Sequence, residues 1–182
     1  MSGLSHRLAR LEDVPALEPL MAASISELQR GFLSPAQIEA SRTIMGLDRQ
    51  LIADGTYFVV DAEERIAGCG GWSRRATLYG GDHTPGRDAA LLDPATEAAR
   101  VRAMYTHPEF ARRGVGRLIL QLCETAAAAE GFTRLELMAT LAGRELYARH
   151  GFVALEAIED SRGGAAVPLI RMGKPIAVRS LR

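Results

Sequence analysis

The sequence lacks a surplus of charge of either sign: Lys and Arg total 22 against 22 Asp and Glu, a formal net charge of zero. A nucleic-acid binder usually carries a basic excess, so nucleic acid is not an expected partner. Cysteine is nearly absent. The two present, Cys69 and Cys123, stand far apart in apolar stretches and form neither a disulfide framework nor a metal-ligand spacing. No metal is expected, and a reducing cytoplasm is the simplest setting. No apolar run approaches the ~20 residues that span a bilayer. Met1–Arg10 holds no apolar signal-peptide core, so no membrane partner is expected. Repeats, low-complexity tracts and linkers are also missing. Apolar residues make up 47% and charged residues 24%, an ordinary globular balance, and a single domain over 1–182 is expected.

What is present alternates between two periodicities. His6–Leu11 alternates polar and apolar as a half-buried strand does. Asp13 reads as an N-cap with Pro15 just inside the helix, and Val14, Leu17, Met21, Ile25 and Leu28 extend that helix to about Gln29. Ser34-Pro35 opens a second helix, Pro35–Met45. Thr56–Asp61 and Arg65–Ser73 read as a hairpin, with Gly68, Gly70 and Gly71 implying close backbone approach. Arg75–Thr96 is rich in Gly and Pro and poor in periodicity. It reads as a long surface excursion, the kind of loop that is usually functional or mobile. Ala98–Thr106 is the next strand. Val115, Ile119, Leu122 and Ala126 stripe a helix from about Gly114 to Glu130, closed by Gly131. Phe132–Ala139 is a strand, Leu141–His150 a short helix, and Phe152–Ile158 and Val167–Gly173 two last strands. The order predicts a mixed α/β domain, a central sheet with helices on its faces. Trp72 and Cys123 read as core.

One segment carries chemistry. After the strand ending at Thr106 comes H-P-E-F-A-R-R-G-V-G, and then a helix. Gly114 and Gly116 let the backbone approach a ligand and turn successive N–H groups inward. The helix behind them adds orphan N–H groups and the positive end of its dipole. Such a place binds phosphate, and Arg112, Arg113 and Arg117 surround it with guanidinium groups that match phosphate oxygens. The loop fits neither the Rossmann nor the Walker pattern. By residue types alone it reads equally as a glycine turn packing a helix onto a strand.

The stretch A-R-V-R-A-M-Y-T-H-P-E-F-A-R-R-G-V-G-R-L-I-L resembles the coenzyme-A-binding motif of the GNAT N-acetyltransferase superfamily. Downstream, L-Y-A-R-H-G-F resembles its second signature, a helical Tyr four residues before Gly-Phe. The resemblance extends over nearly the whole chain. It implies a mostly antiparallel sheet of six to seven strands, splayed between the fourth and fifth, flanked by about four helices. It also implies acetyl-CoA as co-substrate. The backbone of Met104, Tyr105 and Thr106 would pair with the pantetheine arm. Arg112, Arg113, Gly114, Val115, Gly116 and Arg117 would hold the pyrophosphate, and Tyr147 would stand near the thioester sulfur as catalytic acid. Two positions depart from the pattern. Ala111 stands where relatives carry Arg or Gln, and Thr140 where many carry Asn, leaving a hydroxyl for the pantetheine arm. The loop at 75–97 is longer than the family's usual connection. Relatives often dimerise, so a homodimer is a further expectation of the resemblance.

Acetyl transfer to an amine needs a neutral amine, a polarised carbonyl and a stabilised leaving sulfur. A backbone N–H near Met104 would polarise the carbonyl. The ordinary pKa of Tyr147, ~10 against a thiol's ~8.5, is the basis for expecting it to hand a proton to the sulfur. Asp82, His83, Asp88 and Glu97 in or beside the long loop are candidate general bases, and His83 has the right intrinsic pKa. Water relay would need none of them. The acidic residues Asp82, Asp88, Asp93 and Glu97 hint at a cationic acceptor. The expected acceptor is a small-molecule amine. A protein or peptide amine, or a non-catalytic acyl-CoA-binding module, is the alternative.

Overall fold

The computed structural model describes residues 3–177. Met1 and Ser2 of the polar opening segment, and positions 178–182 of the expected domain, lie outside the described residues. The elements are β1 (Leu4–Leu8), α1 (Val14–Leu28), α2 (Pro35–Ile44), α3 (Arg49–Ala53), β2 (Tyr57–Ala62), β3 (Arg65–Ser73), β4 (Ala99–Thr106), α4 (Val115–Ala129), β5 (Arg134–Thr140), α5 (Arg144–Arg149), β6 (Val153–Asp160) and β7 (Val167–Pro175). The seven strands form one sheet in the order β1-β2-β3-β4-β5-β7-β6. Every pairing is antiparallel except β4 with β5.

The start of the chain differs from the sequence reading. The strand ends at Leu8, and Leu11–Asp13 form a single 3-10 turn running into α1. Asp13 is helical and makes no side-chain cap. Its carboxylate instead takes the Arg10 N–H at 2.8 Å and both guanidinium nitrogens of Arg7. The acid that looked like a cap ties the strand to the turn. At Ser34 the cap is as expected: Ser34 Oγ accepts the Gln37 N–H and Gln37 Oε1 accepts the Ser34 N–H, a reciprocal capping box. The five-residue α3 is a helix the periodicity did not show, because one turn holds too few positions to establish a repeat.

The sheet separates two principal cores. Val115, Ile119 and Cys123 of α4 pack with Trp72, Leu135 and Leu137 on one face. Leu17, Leu20 and Met21 of α1 pack with Val59, Cys69 and Tyr105 on the other. A smaller cluster joins Ala40 and Ile44 of α2 to Val167 and Leu169 of β7. The glycines of β3 let α4 lie almost on the strand. A Cβ at Gly68 would collide with the Val115 side chain, and one at Gly70 would come within 2.8 Å of Ile119 Cγ2. This close contact fixes the start of α4 relative to β3 and β4.

The 74–98 stretch has no regular element, yet it is strapped down. Arg75 makes a bidentate pair with Asp54. Thr84 Oγ1 donates to Thr43 O, and Tyr79 Oη donates to Asp160 Oδ2 at 2.9 Å. The Arg162 Nη1 donates to Pro85 O at 2.7 Å. The strap therefore spans from the end of β3 across α2 and α3 to the β6–β7 hairpin.

Candidate functional site

The splay begins in β4. Ala103 holds φ at 50°, a left-handed conformation unfavourable for a residue with a Cβ. Cys69 pairs with Tyr105 and Gly71 with Arg102, so Ala103 and Met104 together oppose Gly70. This is a β-bulge, which bends its strand. The hydroxyl of Tyr57, on a fully buried side chain, donates to the Ala103 carbonyl at 2.6 Å and holds the bulge in place. The ladder between β4 and β5 is two residue pairs long, Ala99↔Leu135 and Arg100↔Glu136. Beyond these the strands part, and a cleft opens between Met104 and Tyr105 on one side and Met138 and Thr140 on the other.

The glycine loop lies beside this wedge. Arg112 at φ 61° and Gly114 at φ 88° turn the chain twice through the left-handed region. The N–H groups of Arg112 through Arg117 meet no acceptor among the described residues, and pairing resumes where the Leu118 N–H bonds to Gly114 O at 3.0 Å. The first turn of any helix leaves orphan donors. Here the two preceding residues add theirs, making a concave row of donors suited to an anion. Gly116 lies close under α5: a Cβ there would come 2.6 Å from Leu146 Cδ2, the tip of a side chain that would have to move. Gly114 is required by its φ alone, since its Cβ would meet open space. The three arginines are not equivalent. Arg113 Nη2 sits 2.7 Å from Glu63 Oε1, with its guanidinium 5.0 Å over the Phe110 ring. Arg112 and Arg117 are exposed and form no ion pair among the described residues.

Tyr147 enters the same cleft from α5. Its ring packs edge-to-face on Phe152, 5.9 Å between centroids, and its hydroxyl points at Met104 Sδ, 3.8 Å away. Burial, aided by the neighbouring Cys123, raises the phenol to about 12. A phenol at ~10 is already a weaker acid than a thiol at ~8.5, and the rise widens the gap. The pKa order therefore opposes outright proton transfer to a free thiolate. Tyr147 instead suits a hydrogen-bond donor that keeps its proton. Thr140 lines the cleft, and its Oγ1 accepts the Gly143 N–H at 3.1 Å. That hydroxyl shapes the turn into α5 and still has its own proton to offer.

None of the four candidate bases lines the cleft. Asp82 is paired with Arg49 at 2.6 Å and also accepts the Arg49 N–H. His83 Nε2 lies 2.7 Å from Arg42 O, with its ring against Gly46. Asp88 caps the Ala90 N–H, and Glu97 accepts from the Asp93 N–H. All four serve the folding of the strap and its neighbours.

Sequence reasoning missed Arg102 and Asp48. Arg102 is 3% exposed and lines the cleft. Its Nη2 bonds Asp48 Oδ2 at 2.9 Å and Gly80 O at 2.6 Å. Asp48, 2% exposed, also caps α3 through the Gln50 N–H and pairs with Arg87 at 2.9 Å. Alternation along β4 marks Arg102 as facing away from the α4 side, but nothing in the sequence names a partner 54 residues distant. Among the described residues no group of three His, Cys, Asp or Glu stands together as a metal site, and no helix is long and apolar enough to cross a membrane.

Similar folds are known. A GCN5-related N-acetyltransferase from Rhodopseudomonas palustris superposes with a TM-score of 0.71 at 22% identity, covering 96% of this chain and 97% of that one. PaiA N-acetyltransferase from Thermoplasma acidophilum, solved in complex with coenzyme A, gives 0.63 at 15% identity, with 95% and 99% covered. An N-acetyltransferase from Staphylococcus aureus Mu50 gives 0.64 at 14%, with 97% and 100% covered. At these identities the likeness is one of fold. No curated protein matches in sequence. The model of the acetyltransferase (GNAT) domain matches residues 53–154, the span that runs from β2 through the bulged β4, the donor row of α4 and Tyr147. The chain therefore belongs to the GNAT acetyltransferase family.

Proposed function

We propose that the protein moves the acetyl group of acetyl-CoA onto a primary amine of a small molecule by direct attack on the thioester. The observation that carries this reading is the row of unpaired main-chain N–H groups from Arg112 to Arg117 beside the parted edges of β4 and β5. The row suits a pyrophosphate, with Arg112 and Arg117 adding charge. The free edge of β4 at Met104, Tyr105 and Thr106 suits the amide groups of a pantetheine arm, and Thr140 offers a hydroxyl from the opposite strand.

The co-substrate supplies an activated acyl carbon. In direct transfer the amine nitrogen bonds to that carbon, the C–S bond breaks, the amine loses one proton and the sulfur gains one. The Met104 N–H is the candidate to polarise the carbonyl. Tyr147 donates a hydrogen bond to the departing sulfur without surrendering its proton. The cleft-lining titratable side chains are three tyrosines and Arg102. Among the described residues no side-chain base lines the cleft, and the amine proton leaves through water. The strap fastened over the acceptor end by Tyr79 and Arg162 makes that end a cleft, which favours a small acceptor over a folded protein.

Two measurements test the reading. Acetyl-CoA should raise the melting temperature and ATP should not. Thiol should appear when acetyl-CoA is mixed with an accepted amine. Stabilisation without thiol release from any amine, small or peptide, would point to a non-catalytic acyl-CoA-binding module.

A further inference from the structure

The hydrogen-bonding groups along the acceptor end of the cleft are unbalanced. A guanidinium has five N–H donors. Arg102 gives Nη2 to Asp48 and Gly80 O and one Nη1 proton to Thr77 O at 3.4 Å. Its Nε–H and second Nη1 proton have no partner among the described residues. The Tyr105 hydroxyl accepts the Gly46 N–H at 2.8 Å, and its own proton has no acceptor among the described residues. Among the described residues no carboxylate or imidazole lines the cleft.

Arg102 is tied into a network of ion pairs. Arg102 and Arg87 each lie 2.9 Å from the single carboxylate of Asp48. Asp82 pairs with Arg49 and comes within 4.0 Å of Arg87, and Arg49 also reaches Glu18 at 3.7 Å. Arg102 thus shares its carboxylate partner, Asp48, with Arg87. Burial lowers the Arg102 pKa despite Asp48 beside it. The acidic strap residues that hinted at a cationic acceptor are spent on loop caps and on Arg49.

Resting on the reading of this cleft as an amine-acceptor site, we propose that the acceptor is an amino-acid-like amine bearing a carboxylate near its amino group, received by Arg102 and the Tyr105 hydroxyl. A carboxylate offers only acceptors, and a guanidinium matches it geometrically. Arg102 stands two residues before Met104, so the carboxylate site and the candidate carbonyl-polarising N–H lie on one strand. A polyamine would instead bring a second cation against Arg102.

The test uses the wild-type protein, acetyl-CoA and three amine classes: free amino acids, their primary amides, and spermidine. The best free acid should exceed its own amide in kcat/KM by about tenfold to a hundredfold, the worth of one charge-assisted hydrogen bond, with spermidine slower still. In Arg102→Gln the acid-to-amide ratio should fall toward one, a ratio that partial loss of folded protein does not move. An amide or spermidine turned over by the wild type as well as the free acid overturns the proposal. Silence from every amine in a protein that coenzyme A still stabilises sinks the transfer reading, and this proposal with it. Lack of stabilisation by coenzyme A sinks the donor site.

Discussion

The hydroxyl of Tyr147 is aimed across the wedge at the thioether of Met104, 3.8 Å away. One residue comes from the helix after β5 and the other from the strand that β5 has left, so the contact bridges the open end of the splay. A thioether is a weak acceptor, easily exchanged for another sulfur.

Tyr147→Phe keeps the ring on Phe152 and removes only this donor. The expected outcome is a kcat lower by about tenfold to a hundredfold, the scale of a hydrogen bond to a charged partner, with acetyl-CoA affinity and melting temperature nearly unchanged. Thiol-release kinetics and a melting curve check it. Unchanged kcat removes Tyr147 from the chemistry.

The pH profile follows from what the cleft lacks. With no carboxylate or imidazole among the described residues lining it, kcat/KM should rise with pH until the amine's own pKa is passed. The phenol at about 12 stays protonated throughout that range, so no falling limb should appear below about pH 10. Two accepted amines of different basicity make the check. An inflection that stays near neutral pH for both would reveal a dedicated base.

Arg112 and Arg113 should part company. Arg112 has no ion-pair partner among the described residues, whereas Arg113 is engaged by Glu63. Arg112→Ala is expected to weaken acetyl-CoA binding by about threefold to tenfold, an effect that shrinks as salt screens the charge. Arg113→Ala should weaken it less. Equilibrium binding at low and high salt decides.

Acid should loosen the strap. The Arg162 guanidinium on Asp160, with its backbone N–H and the Tyr79 hydroxyl, lowers that carboxyl to about 2. A lowered folded-state pKa gives stability that is present above the unfolded value and lost as pH falls. The window here is from about 4 to about 2, and the amount is about 2 kcal/mol. Asp160→Asn should lower the melting temperature at pH 7 and flatten its decline below pH 4.

What could be read from the sequence was what local pattern encodes. The apolar stripe of α4 and the glycine pair at 114 and 116 have local causes, a helical repeat and a left-handed turn, and both stand where expected. The bulge that splays the sheet was not visible in its own residues. It rests on Ala103, whose side chain gives no sign of positive φ, and on Tyr57, whose hydroxyl crosses from β2. The junction of the first strand and α1 is ambiguous in sequence because Asp13 can cap a helix or bind Arg7, and only the folded chain brings Arg7 within reach. The four candidate bases stand outside the cleft for a related reason. Titratable residues in a long loop advertise chemistry, while their partners, such as Arg49 and the Arg42 carbonyl, lie in distant segments.

The donor row from Arg112 to Arg117 consists of peptide groups, and every amino acid but proline brings one. Recognition of this kind is nearly blind to side-chain identity. The peptide part of the grip can absorb substitution while the turn survives, with Arg112 and Arg117 adding charge to it, and its shape is dictated at Gly114 by backbone angle. Ala111, whose own N–H is taken by Pro108 O, stands just outside this row.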